Sequence, residues 1–152
     1  MRWLPLRDAH AFVAKHHRHH VPAQGGILAI GIWTCGQLVG CGVIGRPVAR
    51  NHAEGVCEVT RTCVLPSAEH AASALLGHLR RTAQVLGFQR MVTYTLPTES
   101  GISLRAAGWR QDDLAGGGEW DKPGRRRMPA DYPIQRKIRW WRDLDKQQEL
   151  QL

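Results

Sequence analysis

Two groups of side chains in this sequence have the types and spacing of a chemical site. The first is the run Phe12 to His20 (FVAKHHRHH), which places His16, His17, His19 and His20 within five residues. His16 and His20 stand four apart, so on a helix they share a face. Through imidazole nitrogens they can grip a divalent metal if a third ligand, such as Glu58, joins them. Imidazoles also titrate near neutral pH, so His16 or His17 can instead act as general base toward an amine. A helix end with solvated histidines is the third reading. The second group is Glu58 and Arg61 in VCEVTRTCV (Val56 to Val64). Regular alternation puts Glu58, Thr60 and Thr62 on one face of a strand and Val59, Arg61 and Cys63 on the other. A carboxylate among valines is unfavourable without a partner. Glu58 is therefore expected in an acceptor site facing the early histidines, with Arg61 as its scaffold or a phosphate contact. The competing reading is an ion pair that closes the sheet. Tyr94 would line the same cleft or fill the core.

These groups need elements to hold them. From Val56 to Val64 the β-branched residues predict a strand, broken at Pro66-Ser67. A helix comes next, with Ala72, Leu75, Leu76, Leu79, Ala83 and Leu86 on one face. A strand feeding a helix N-terminus aims free N–H groups and a positive dipole end at one point, which suits a pyrophosphate. Upstream, Trp3-Leu4-Pro5-Leu6 reads as an edge strand. Asp8 would cap a helix carrying Ala9, Phe12, Val13 and His16 and reaching His20. Ile27–Trp33 and Leu38–Ile44 form a hairpin about Thr34 to Gln37, followed by a polar loop with Arg46, Arg50, Asn51 and His52. Downstream come a strand from Arg90 to Leu96 and a short helix from Ser100 to Ala107, closed by Gly108. Another strand begins at Trp109, turning at Gly116 to Gly118 and ending near Trp120. A proline-bounded basic loop (Pro123 to Pro133) and a last strand from Lys137 to Leu144 complete the order.

The 152 residues suffice for one domain with its own core, expected over 1–144, with 145–152 as a polar tail. No apolar run spans a bilayer and no signal-like segment opens the chain, so a soluble cytoplasmic protein is expected. Four cysteines without a CxxC pair read as reduced core thiols. Net charge is +8, and 17 of the 21 basic residues are arginine, which suits bidentate phosphate contacts. Arg46 and Arg50, the run Arg125, Arg126 and Arg127, and Arg139 beside Trp140-Trp141 are candidate DNA contacts, through backbone tracking and base stacking.

The order strand, helix, hairpin, strand, long helix, strand, short helix and two strands resembles the GNAT superfamily of acyl-CoA-dependent N-acyltransferases. Within it, FVAKHHRHH, GRPVAR (Gly45 to Arg50), EVTRTCV (Glu58 to Val64), TYTL (Thr93 to Leu96) and SLRAAGW (Ser103 to Trp109) resemble small phage- and prophage-associated members. Related to these are the Mom-type enzymes that modify adenine in DNA. The resemblance implies an α/β fold with a mixed, mostly antiparallel central sheet of six to seven strands, splayed in the middle and flanked by helices. It implies acetyl-CoA or a related acyl-CoA as donor. Cys63, Val64, Leu65, Ser67, Ala72, Ser73 and Ala74 are then the donor-binding positions, and an N–H near Thr62 to Val64 polarises the thioester carbonyl. The favoured acceptor is a nucleobase amine in DNA, with His16, His17 and Glu58 handling its proton. An N-acetyltransferase for a small amine or protein side chain is the alternative, and a non-catalytic nucleic-acid-binding module the second. Two departures stand out. GNAT enzymes usually carry (Gln/Arg)-x-x-Gly-x-(Gly/Ala) where this chain has Glu69-His70-Ala71-Ala72-Ser73-Ala74. The tyrosine that often protonates the departing thiolate is replaced by Leu104, which turns attention to Ser103 and Tyr94.

Overall fold

The computed structural model describes residues 1–16, 25–48, 52–115 and 136–144. Seven strands form one sheet in the order β1-β2-β3-β4-β5-β7-β6. They are β1 (Arg2–Leu4), β2 (Leu28–Thr34), β3 (Gln37–Gly45), β4 (Val56–Val64), β5 (Arg90–Thr95), β6 (Arg110–Ala115) and β7 (Lys137–Asp143). All neighbouring pairs are antiparallel except β4 and β5. Among the described residues three α-helices flank the sheet: α1 (Leu6–His16), α2 (Ala72–Val85) and the short α3 (Ile102–Ala106). The expected mixed, mostly antiparallel α/β architecture is the one observed. Among the described residues no helix is long and apolar enough to cross a membrane.

Two apolar clusters sit on opposite faces of the sheet. On one, Leu75, Leu76, Leu79 and Ala83 of α2 pack with Leu104 of α3 on Ile30, Ile44, Val59, Met91 and Trp140. Full burial of a leucine such as Leu75 or Leu79 stabilises by about 1.5–3 kcal/mol. Leu86, expected on this face, is exposed because α2 stops at Val85 and the chain turns through Gly87 at φ 85°. On the other face, Ala9, Phe12 and Val13 of α1 pack on Leu4, Ala29, Cys41, Val43 and Cys63. Helix α1 starts two residues before Asp8. The Pro5 carbonyl accepts the N–H groups of both Asp8 and Ala9, so Asp8 lies within the first turn and is not the cap.

The β2–β3 hairpin turns at Cys35 and Gly36, both with positive φ (49° and 76°). That is the two-residue geometry matching strand twist, and it favours Asn-Gly. Cys35 is thus an exposed turn thiol, not a core one, whereas Cys41, Cys57 and Cys63 are buried; all four are free. Burial pushes the Cys41 and Cys57 thiols up to about 12, so neither is a thiolate near neutral pH. Cys35→Asn should relieve left-handed strain and stabilise the fold by about 1 kcal/mol, read as a higher urea midpoint with unchanged slope.

Two features of β4 shape the surroundings of Glu58. Its ladder with β5 has three rungs, Val56–Arg90, Cys57–Met91 and Glu58–Val92, and then ends, although β4 runs on to Val64 and β5 to Thr95. The Thr93 hydroxyl, not an amide, donates to the Val59 carbonyl just beyond the last rung (2.8 Å). The middle strands therefore part, as expected. The ladder with β3 is irregular as well: Ile44 pairs with Val59 and Val43 with Arg61, so Thr60 is an extra residue. Such a bulge re-aims the residues after it.

Candidate functional site

Partners in a ladder carry their side chains to the same face. Glu58 pairs with Gly45 and with Val92, Val92 with Trp141, Tyr94 with Arg139 and Trp141 with Arg110. Glu58, Tyr94, Arg139 and Trp141 thus share the face turned away from α2. Arg61 pairs with Val43, of the α1-side cluster, so it lies on this face too. Regular alternation separates Glu58 from Arg61. The extra Thr60 reverses the phase between them and brings both charges to one side.

Glu58 is 7% exposed and sits at the last β4–β5 rung. Its Oε2 accepts the Val48 N–H at 2.9 Å. Burial pushes its carboxyl above the usual range, while the Val48 hydrogen bond and the charges of Arg61 and Lys137 act the other way. Lys137, two residues from Arg139 along β7, is drawn below the usual lysine range by burial and by Arg61, and Glu58 opposes this. Arg61 also donates to the Thr60 carbonyl at 2.6 Å. The Tyr94 hydroxyl is 3.1 Å from His52 Nε2. Burial and the Glu58 charge raise the Tyr94 phenol, whereas burial and Arg139 lower His52. A carboxyl that burial makes a better proton holder, a phenol held in its protonated form and an imidazole held toward its neutral form therefore lie on one face by the strand gap. Together they can accept a proton from one bound group and pass one to another.

The other expected site residues are spread more widely. His16 ends α1 with its ring 4.6 Å from that of Phe12. His17 and His20 lie outside the described residues, and among the described ones no three His, Cys, Asp or Glu side chains cluster to hold a metal. Ser103 lies on α3, on the α2 side of the sheet, so Glu58 and Tyr94 occupy the opposite face. The side chain of Cys63 belongs to the core beneath α1, and Val64 and Leu65 also pack on core residues. These three have backbone to offer a donor, not side chains. The long helix does not start directly after Pro66. A 3₁₀ segment, Pro66–Ala71, kinks at Ala68 before α2 begins at Ala72. Neither helical start has a side-chain cap; the first turn of α2, with Ala72, Ser73 and Ala74, carries no acidic residue, whereas Glu69 stands in the first turn of the 3₁₀ segment and its carbonyl accepts the Ala72 N–H. Small side chains and an uncapped start suit a pyrophosphate.

The expected nucleic-acid contacts are altered in kind. Arg139 is committed to Asp112, donating from Nε at 2.7 Å and from Nη2 to the same oxygen. Arg61 is half-buried beside Glu58. Arg46 is exposed, while Arg50 and Arg125 to Arg127 lie outside the described residues. Trp140 is core. Trp141 lines a cleft, with the Arg90 and Arg110 guanidinium carbons 4.7 and 5.1 Å from its ring centroid. Sequence reasoning missed His52 as a site residue because nothing local distinguishes a loop histidine. Lys137 was visible as a basic residue, and the alternation of Lys137, Arg139 and Trp141 shows that they share a face.

No family model and no curated protein matches the chain. Solved structures do. An IAA acetyltransferase from Bacillus cereus ATCC 14579 matches at 13% identity over 94% of this chain and 97% of that one, with a TM-score of 0.65. The ribosomal-protein-S18-alanine N-acetyltransferase from Escherichia coli matches at 13% identity, 97% and 92% coverage and a TM-score of 0.63. A Bacillus subtilis acetyltransferase in complex with CoA matches at 14% identity, 77% and 76% coverage and a TM-score of 0.57. At these identities the likeness is one of fold, which the chain shares with these acetyltransferases.

Proposed function

We propose, taking the GNAT acetyltransferase fold as premise, that this chain is an N-acyltransferase moving an acyl group from a CoA-like thioester to an amine. The observation that carries this reading is the parting of β4 and β5 immediately beyond a buried carboxylate, Glu58. Acyl-CoA, when bound, supplies the activated carbonyl and the thiolate leaving group. The uncapped 3₁₀ and α2 starts, with Ser67, Ala72, Ser73 and Ala74, would hold its pyrophosphate, and β4 backbone from Cys63 to Leu65 its pantetheine arm. Glu58 takes the proton of the acceptor amine as the new N–C bond forms and the C–S bond breaks. The Tyr94 hydroxyl, backed by His52, returns a proton to sulfur in place of the tyrosine that Leu104 replaces. An N–H of the freed β4 edge near Thr62 to Val64 polarises the carbonyl.

The acceptor we favour is a nucleobase amine of DNA, as in Mom-type enzymes. Support comes from the +8 charge, the arginine excess and the resemblance of sequence blocks such as FVAKHHRHH and EVTRTCV. The alternative acceptor, an amine on a protein, is favoured by the likeness to the S18-alanine enzyme. Two measurements test the scheme. Acyl-CoA at about 100 times its Kd should stabilise the chain by about 2.7 kcal/mol, read as a thermal shift. Nucleosides from cells expressing the protein should include an acylated adenine, absent with Glu58→Gln. No shift with any acyl-CoA would sink the transferase reading, and unmodified nucleosides would move the acceptor to protein or small amines.

A further inference from the structure

A cleft of about 340 Å³ opens on the face turned away from α2, lined by His52, Arg90, Val92, Asp112, Arg139 and Trp141. It adjoins the strand gap, because Val92 is the rung partner of Glu58. Its volume suits one small group and not a folded partner. Its charges are arranged unequally. Asp112 is fully used: one oxygen accepts both Arg139 donors, and the other accepts the Trp141 indole N–H at 3.1 Å. That carboxylate fixes the guanidinium and the indole in place. Arg90 spends only Nε, on Asp143 at 2.6 Å, in a pair about half exposed on both sides. Its two Nη groups have no hydrogen-bond partner among the described residues. Among the described side chains, Arg110 over Trp141 joins Arg90 and Arg139 on this part of the sheet, beside the carboxylates of Asp112 and Asp143. An amine bearing an anion meets in the Arg90 guanidinium a partner that an amine alone does not use.

We infer that the acceptor is an amine that also carries an anionic group, phosphate or carboxylate, and that Arg90, with Arg139, binds that group in this cleft. The inference rests on the acyltransferase reading only for which end of the ligand reacts. Arg90 is the binding residue, Arg139 the second cation, and Asp112 a positioning residue that acts through Arg139 and Trp141. Flat probes match the indole and guanidinium planes of the walls.

The test is calorimetric titration of the full chain, with and without saturating CoA, using 4-aminophenyl phosphate, 4-aminobenzoate and 4-aminobenzamide. At least one anionic probe should bind about tenfold or more tighter than the neutral amide. Arg90→Gln should abolish the difference. Asp143→Asn, which releases Arg90, should widen it, a result that a merely structural role for Arg90 does not give. Preference for the phosphate identifies a nucleotide-like acceptor, and preference for the carboxylate an amino-acid-like one; each supports the inference. Equal binding of all three probes, or an Arg90→Gln variant that discriminates as well as the wild type, overturns it. The heat of CoA binding in the same series reports separately on the transferase reading.

Discussion

Glu58→Gln should lower kcat by about 10²- to 10⁴-fold, the usual contribution of a positioned base, while making the protein harder to unfold at neutral pH. The two effects have one cause. Burial raises the Glu58 carboxyl above its usual range, more than the Val48 hydrogen bond and the nearby cations restore. A folded-state pKa above the unfolded value means that the folded chain holds the proton more tightly. The stabilising contribution of that group is therefore present at acid pH and is lost as pH rises through the folded pKa. Glutamine, always neutral, escapes that loss and can still accept the Val48 N–H. Thermal melts at pH 5 and 7.5 should show the variant gaining on the wild type as pH rises. The wild-type rate should fall as pH drops through a value above the ordinary carboxylate range, since the base must be ionised. A variant with wild-type kcat would remove Glu58 from the chemistry, and one less stable at pH 7.5 would show that its charge mainly serves Arg61 and Lys137.

Trp140→Ala should destabilise by about 3–5 kcal/mol, the range for truncating a buried aromatic, a large fraction of the stability of a chain this size. Trp140 is 1% exposed, and its indole N–H donates to Thr95 Oγ1 at 2.9 Å. It fills the angle between β5, β7 and the start of α3, where an added Cβ on Gly101 would come within 2.4 Å of its ring. The loss should appear as a lower urea midpoint. Trp140→Phe, which keeps most of the volume, should lose less, and a near-neutral Trp140→Ala would mean that the α2 side of the sheet is held by the α2 leucines alone.

Much of the fold was legible because its elements keep simple periods. Leu75, Leu76, Leu79 and Ala83 keep the helical spacing, and the Cys35-Gly36 turn announces the hairpin. The parted middle strands came from the resemblance, not from any period. The site was legible in type more than in geometry. Glu58 and Tyr94 stood out as polar residues in apolar strands. Their neighbours did not, because His52 comes from a loop with no pattern and Lys137 comes from a strand some 80 residues downstream in sequence. Arg61 was assigned to the wrong face because alternation assumes one residue per rung, and the bulge at Thr60 breaks that rule. Trp140-Trp141 were read as a place for a base to stack beside Arg139, whereas here Trp140 is core and two guanidiniums lie over the Trp141 ring.

The additional residue in β4 also bears on how kindred sequences should be compared. With it, a glutamate and an arginine three positions apart become neighbours across one surface. In a chain whose corresponding strand ran without interruption, the same neighbours would have to stand two apart. Sequences reading Glu-x-Arg and Glu-x-x-Arg could thus encode one electrostatic arrangement, and an ungapped alignment would score the cation as missing in either.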